Sequence, residues 1–109
     1  MIIHEQTAFE KMNALDQVRI TQMAISILKY INANDYNFNY FYVGITNDIN
    51  TRDAEHDKEF NSILVYHHDF KDREFVKALE AYFTMKYGFR GDMGGGSDDS
   101  TIFYVLRII

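Results

Sequence analysis

Between Tyr40 and Thr46 the chain reads Tyr-Phe-Tyr-Val-Gly-Ile-Thr. Phe41, Val43 and Ile45 alternate with Tyr40, Tyr42, Gly44 and Thr46, which is the two-residue period of a β-strand. The first set is therefore expected to face a core. Tyr42 is expected on the opposite face, next to a glycine with no side chain to cover it. Two further apolar runs have strand length, SILVYHH at 62–68 and TIFYVLRII at 101–109.

The segments around these runs have a different period. From about Thr7 to Ile31 the chain reads as helical, in two consecutive pieces. Val18, Ile20, Met23, Ala24, Ile27, Leu28 and Ile31 recur there at three- and four-residue spacings, and Asp16 is a reasonable N-cap for the second piece. NANDYNFN then breaks the pattern with side chains that compete for backbone hydrogen bonds and favour turns. DINTRDAEHDKEF reads as a helix capped by Thr46 or Asn47, and DREFVKALEAYFTMKYG as an amphipathic helix opened by acidic residues and stopped by Gly88. RGDMGGGSDDS reads as a flexible connector. Its Asp92, Asp98 and Asp99, and its lack of lysine, argue against a phosphate cradle.

The order is helical lead, strand, helix, strand, helix, strand. It predicts an α+β fold in which a small three-stranded, mainly antiparallel sheet is flanked by helices. A length of 109 residues fits one domain, with an N-terminal helical segment over 1–33 and the sheet-bearing module over 34–109. The absence of cysteine excludes disulfides, a thiolate nucleophile and a Cys-ligated zinc site. No basic leader precedes an apolar core of signal length, and no run approaches the ~20 apolar residues that cross a bilayer, so a cytoplasmic location with no membrane partner is the expectation. The net charge of −5 opposes a long phosphate backbone being held by this chain alone. His67 and His68 look like a metal pair, yet neighbours on a strand point to opposite faces and make poor joint ligands.

Taken as a pattern, Tyr42-Val43-Gly44-Ile45-Thr46-Asn47-Asp48-Ile49, then Arg52, then His56, resembles the second half of the GIY-YIG nuclease signature. In that family a Tyr-Ile-Gly strand end is followed by Ser or Thr, an Asn/Asp-hydrophobic step, an arginine and a histidine four residues on. Val43 stands for the isoleucine. The family's metal-binding glutamate, carried on a later helix, corresponds to Glu80 in FVKALEAYF. The sequence supports that choice independently, because Val76, Phe83 and Tyr87 lie at i−4, i+3 and i+7 and put Glu80 on or beside an apolar stripe. A carboxylate there needs a cation, and a neighbouring Lys or Arg would serve as well as a metal.

The resemblance covers roughly residues 38 to 90 and departs from the family at its first half. No Gly-Ile-Tyr strand precedes Tyr42. Tyr30 in ILKYI could substitute only if that segment were a strand. Tyr104 in the C-terminal IFYVLRI could do so as a first strand displaced to the other end of the chain, as in a circular permutation, and is preferred. The apolar run around it must pair somewhere, and the edge left by the missing strand would accept it.

What the resemblance implies is a divalent-metal-dependent endonuclease that hydrolyses nucleic-acid phosphodiester bonds, with DNA the expected partner. Glu80 would hold one Mg²⁺ or Mn²⁺, and Arg52 would grip the scissile phosphate. Tyr42 and Tyr104 would position or deprotonate the attacking water, and His56 would hydrogen-bond a tyrosine or the leaving oxygen. Gly44 and Thr46 would lie against the substrate, the glycine allowing close approach. A homodimer or larger assembly would supply the basic surface that the chain lacks. The alternative is a nuclease-derived module that keeps the fold, has lost cutting, and binds a protein or nucleic acid. Residue by residue the plainer readings are a half-buried strand aromatic at Tyr42 and a solvated helix face at Arg52 and His56.

Overall fold

The computed structural model describes residues 9–51, 61–91 and 99–109. Helix α1, Ala14–Tyr30, follows a short helical piece at residues 9–10, in line with the two-piece reading. Its N-cap is Asn13 and not Asp16. The Asn13 carboxamide oxygen accepts from the Asp16 backbone N–H at 2.8 Å, and Asp16 instead pairs with Arg19 at 3.3 Å on the exposed side. Ile20, Ala24, Ile27 and Ile31 form the buried stripe of α1, whereas Val18 is 50% exposed. The Asn-rich segment then turns the chain, with Asn34 and Asn37 side chains taking backbone N–H groups and Asn32 at φ 57°.

Strand β1, Phe41–Thr46, leads to a helical start at residues 49–51. Strand β2 is Ser62–Asp69, helix α2 is Arg73–Lys86, strand β3 is Arg90–Gly91 and strand β4 is Ile102–Ile108. α2 is capped by Asp72, whose carboxylate accepts from Phe75 N–H at 3.1 Å. It stops before Gly88, whose φ of 73° a side chain would resist.

The sheet has four strands in the order β2-β4-β1-β3, not three, and it is mixed. β4 is antiparallel to both of its neighbours, while β3 runs parallel to β1. The fourth strand comes from Arg90 and Gly91, which the sequence pattern assigns to a connector. Two residues carry no periodicity, so the signal lies in the residue before them. Phe89 is buried, stacks on Phe41 with ring centroids 5.4 Å apart, and brings the following backbone alongside β1.

The core fills one side of the sheet. Phe41, Val43 and Ile45 of β1, with Phe103 and Val105 of β4, meet Phe75, Val76, Leu79 and Phe83 of α2 and the buried stripe of α1. Tyr42, Tyr104 and Leu106 form a separate cluster on the opposite face, as the alternation in β1 predicts for Tyr42. No helix among the described residues is long and apolar enough to cross a membrane.

Candidate functional site

Tyr42 and Tyr104 come together because of the register between β1 and β4. Gly44 is the direct partner of Tyr104, and Tyr42 that of Leu106, so all four share one face. The two phenol rings lie 6.5 Å apart between centroids and 25° from parallel. Gly44 makes this possible. A Cβ built on it would lie 2.3 Å from the Tyr104 Oη and 2.4 Å from its Cζ, so the missing side chain is the space into which Tyr104 folds. The rings are enclosed, with Tyr42 8% and Tyr104 1% exposed. Ile49, Leu64 and Ile108 pack around them. Tyr30, the other candidate for the missing strand's tyrosine, lies in helix α1, 71% exposed and edge-on to Tyr66.

At the far end of β1, Thr46 is buried and its hydroxyl accepts from the Asp48 backbone N–H at 3.1 Å. The next helical turn is capped by Asp48, not by Thr46 or Asn47. The Asp48 carboxylate accepts from the Thr51 N–H at 3.2 Å and the Thr51 hydroxyl at 2.9 Å. These bonds, the backbone one foremost, hold the Asp48 carboxyl below the usual range. Asn47 donates to Asp99 at 3.1 Å and so ties this end of β1 to the segment entering β4. Arg52 and His56 lie outside the described residues.

Glu80 is 2% exposed on α2, in the stripe formed with Val76, Leu79 and Phe83. Its position along the sheet follows from two anchors. The Thr84 methyl lies 3.0 Å from where a Gly91 Cβ would stand, beside the Val43 carbonyl, so Thr84 is level with the Val43–Gly91 pair. α2 begins next to Thr101, at the Thr46 end of the sheet, where Phe70 N–H donates to the Thr101 carbonyl. Glu80 is one turn back towards that end, about 6 Å of helix. That equals about two residues of strand and brings it near the level of Ile45. It lies on the core face, on the other side of the sheet from Tyr42 and Tyr104, and the fold does not bring it together with them. β3 pairs only with Tyr42 and Val43, which leaves the Gly44–Thr46 edge of β1 without a strand partner among the described residues.

A buried carboxylate at that level has the chemistry of a hard-cation ligand. No group of three His, Asp or Glu that could hold an ion occurs among the described residues. Asp48 and Asp69 have local structural roles. Asp48 caps its helical turn. Asp69 accepts from the Thr101 hydroxyl at 2.7 Å and the Lys71 N–H at 2.9 Å, bonds that hold its carboxyl below the usual range.

Two further side chains belong to the tyrosine face, His67, which the sequence reading set aside as a joint metal ligand with His68, and Arg90, which it left in a connector. His67 pairs directly with Tyr104 across β2 and β4. Arg90 pairs with Tyr42 across β3 and β1. No protein-family model matches the chain, and no curated protein or solved structure is significantly similar to it.

Proposed function

We propose that this protein is a divalent-metal-dependent endonuclease of GIY-YIG type, acting on nucleic-acid phosphodiester bonds, in which the last strand supplies the tyrosine that the family carries on its first. The observation that carries the reading is the β1–β4 register. It sets Tyr104 opposite Gly44 and stacks it beside Tyr42, so that two phenols share one face at the end of the Tyr-Val-Gly strand. Within it, the tyrosines orient the attacking water, one of them taking its proton as the phenolate, while the P–O bond to the leaving oxygen breaks and that oxygen takes a proton from His56 or water; the Arg52 guanidinium holds the scissile phosphate in its planar fork. Glu80 is the protein ligand for one Mg²⁺ or Mn²⁺, which when bound polarises the phosphoryl oxygens. DNA is the expected substrate. With a net charge of −5, a homodimer or larger assembly supplies the remaining basic surface.

Burial favours a second reading. Tyr104 is 1% exposed and its oxygen rests over Gly44, which suits a packing role in a module that binds without cutting. Nicking of supercoiled plasmid with Mg²⁺ or Mn²⁺ separates the two. The endonuclease reading expects cutting by the wild type and none by Glu80→Ala or Arg52→Ala. Tyr104→Phe keeps the ring and removes only the hydroxyl, and should lower the rate by about 10²–10⁴-fold. A wild type inert on supercoiled, single-stranded and branched DNA leaves the binding module as the function. A Tyr104→Phe variant as active as the wild type removes that tyrosine from the mechanism.

A further inference from the structure

β2 is an outer strand of 8 residues, Ser62–Asp69, and no strand among the described residues pairs with its free side. Its sequence, SILVYHHD, holds neither the proline nor the lysine that commonly guards such an edge. Two backbone bonds show which of its residues turn their amides outward. The Asn61 carbonyl accepts from the Ile109 N–H at 3.0 Å, and the Phe70 N–H donates to the Thr101 carbonyl at 3.1 Å, so both flanking residues face β4. Successive residues of an antiparallel strand alternate in this respect. Counting forward from Asn61 puts Ser62 and Leu64 outward, and counting back from Phe70 puts Asp69 and His67 outward. The two counts meet at the irregularity between Leu64 and Tyr66, where β2 carries one extra residue. The four outward residues pair with Ile108, Leu106, Tyr104 and Ile102, and so all lie on the tyrosine face.

We infer that β2 is the interface through which two copies of this chain join, edge to edge and antiparallel about a twofold axis, into one continuous sheet. Such pairing requires outward residues to oppose outward residues and each face to meet the same face. With the extra residue in place, one register does both along the whole strand. Ser62 then stands opposite the partner's Asp69 and Leu64 opposite the partner's His67, with the axis between Val65 and Tyr66. A shift by two residues would match Leu64 to the partner's Asp69 but set His67 against the partner's Tyr66, which faces inward. A regular strand from any other protein, lacking the extra residue, would fall out of step at the irregularity. A second copy carries the same irregularity at the axis and stays in step, which is why the occupant is this chain. The junction also covers apolar surface. Ile63 is 52% exposed and would meet the partner's His68, while Tyr30, Leu64, Val65, Tyr66 and His67 line a groove of about 460 Å³ at the axis. Asp69 meets Ser62 and not its own copy, so no like charges oppose each other. The inference does not rest on the nuclease reading. In the joined sheet both tyrosine faces lie on one side, with the two β4 strands three spacings, about 14 Å, apart.

Sedimentation equilibrium from about 20 µM to about 1 mM tests this, the range suited to a small interface. The mass should rise from 12.8 kDa towards twice that value. Amide exchange followed by NMR over the same range identifies the surface. The N–H groups of Ser62, Leu64, His67 and Asp69 should slow several-fold as the dimer forms, while those of Ile63, Tyr66 and His68, which face β4, stay slow throughout. His67→Pro removes an outward donor and no bond within the chain. It should raise the dimer dissociation constant by about tenfold or more with little change in melting temperature, because the loss occurs twice across the axis. A chain that stays monomeric across the whole range overturns the inference. So does a dimer whose four outward amides exchange as in the monomer, since it uses another surface. Protection of these amides already in the dilute monomer would mean that another segment of this chain covers the edge, and the inference falls. A folded His67→Pro that dimerises like the wild type also overturns it; if that variant does not fold, the amide exchange of the wild type decides alone.

Discussion

Gly44→Ala places a methyl group where Tyr104 already is. The new Cβ would sit 2.3 Å from the Tyr104 Oη, 2.4 Å from Cζ and 2.8 Å from Cε1. Tyr104 cannot simply step aside, because it is enclosed by Tyr42, Leu106 and their neighbours. In a strand with ordinary backbone angles, alanine would otherwise stabilise by about 0.5–1 kcal/mol relative to glycine. The sign of the change therefore reports the clash. Overpacking of this kind costs about 1–3 kcal/mol, so a net loss of about 1–2 kcal/mol is expected. In a domain of this size that lowers the melting temperature by roughly 4–16 °C. Calorimetry or urea titration would measure it. The partner is identified by a double-mutant cycle. Tyr104→Phe leaves Cζ and Cε1 in place and should not rescue Gly44→Ala. Tyr104→Leu removes the ring edge, and the double variant should be more stable than the sum of the single changes by about 1 kcal/mol or more. A neutral or stabilised Gly44→Ala, or strict additivity with Tyr104→Leu, would refute the packing of Tyr104 into the glycine's space.

Other consequences can be measured separately. Mg²⁺ or Mn²⁺ should raise the melting temperature of the wild type and not that of Glu80→Gln, since a ligand stabilises the fold only through a site it occupies. Asn13→Ala removes the α1 cap and should cost about 1 kcal/mol by urea titration, with Asn13→Asp close to the wild type. Asp69 has a folded pKa held below its unfolded value of about 3.8, chiefly by the Thr101 hydroxyl. Its contribution is thus present above pH ~4 and lost as pH falls through the lower folded value. Asp69→Asn should accordingly flatten the acid limb of the stability curve in that window, leaving the slope near neutrality unchanged.

The sequence made the elements legible where one face of each is apolar. Phe41, Val43 and Ile45 against Tyr42 gave the sidedness of β1, and Val76, Leu79 and Phe83 gave that of α2, with Glu80 in the same stripe. Details that depend on pairing were not legible. Thr46, Asn47 and Asp48 are all competent caps, as are Asn13 and Asp16, and only the turn geometry selects Asp48 and Asn13. Arg90 and Gly91 are too short for any period. His67 could be set on the tyrosine face only by knowing the β2–β4 register, and that register shifts at an irregularity between Leu64 and Tyr66. The sequence placed Tyr104 as a partner for β1, but it could not show that Gly44 stands opposite it, which is what joins the two tyrosines.

The position of β4 also matters for how the protein is made. Its strands β1 and β2 are far earlier in the sequence, yet they are not neighbours in the sheet; each pairs with β4, which lies between them. Until Ile108 has been synthesised, both present open backbone edges and bare apolar faces. At about 5–20 residues per second, the roughly 40 residues from Asp69 to Ile108 take about 2–8 s to add. That is long compared with the microseconds in which hairpins form. The ribosome-bound chain is thus a pair of unmatched strands waiting for a third to slide between them, with backbone edges that a neighbouring chain could pair with in the interval.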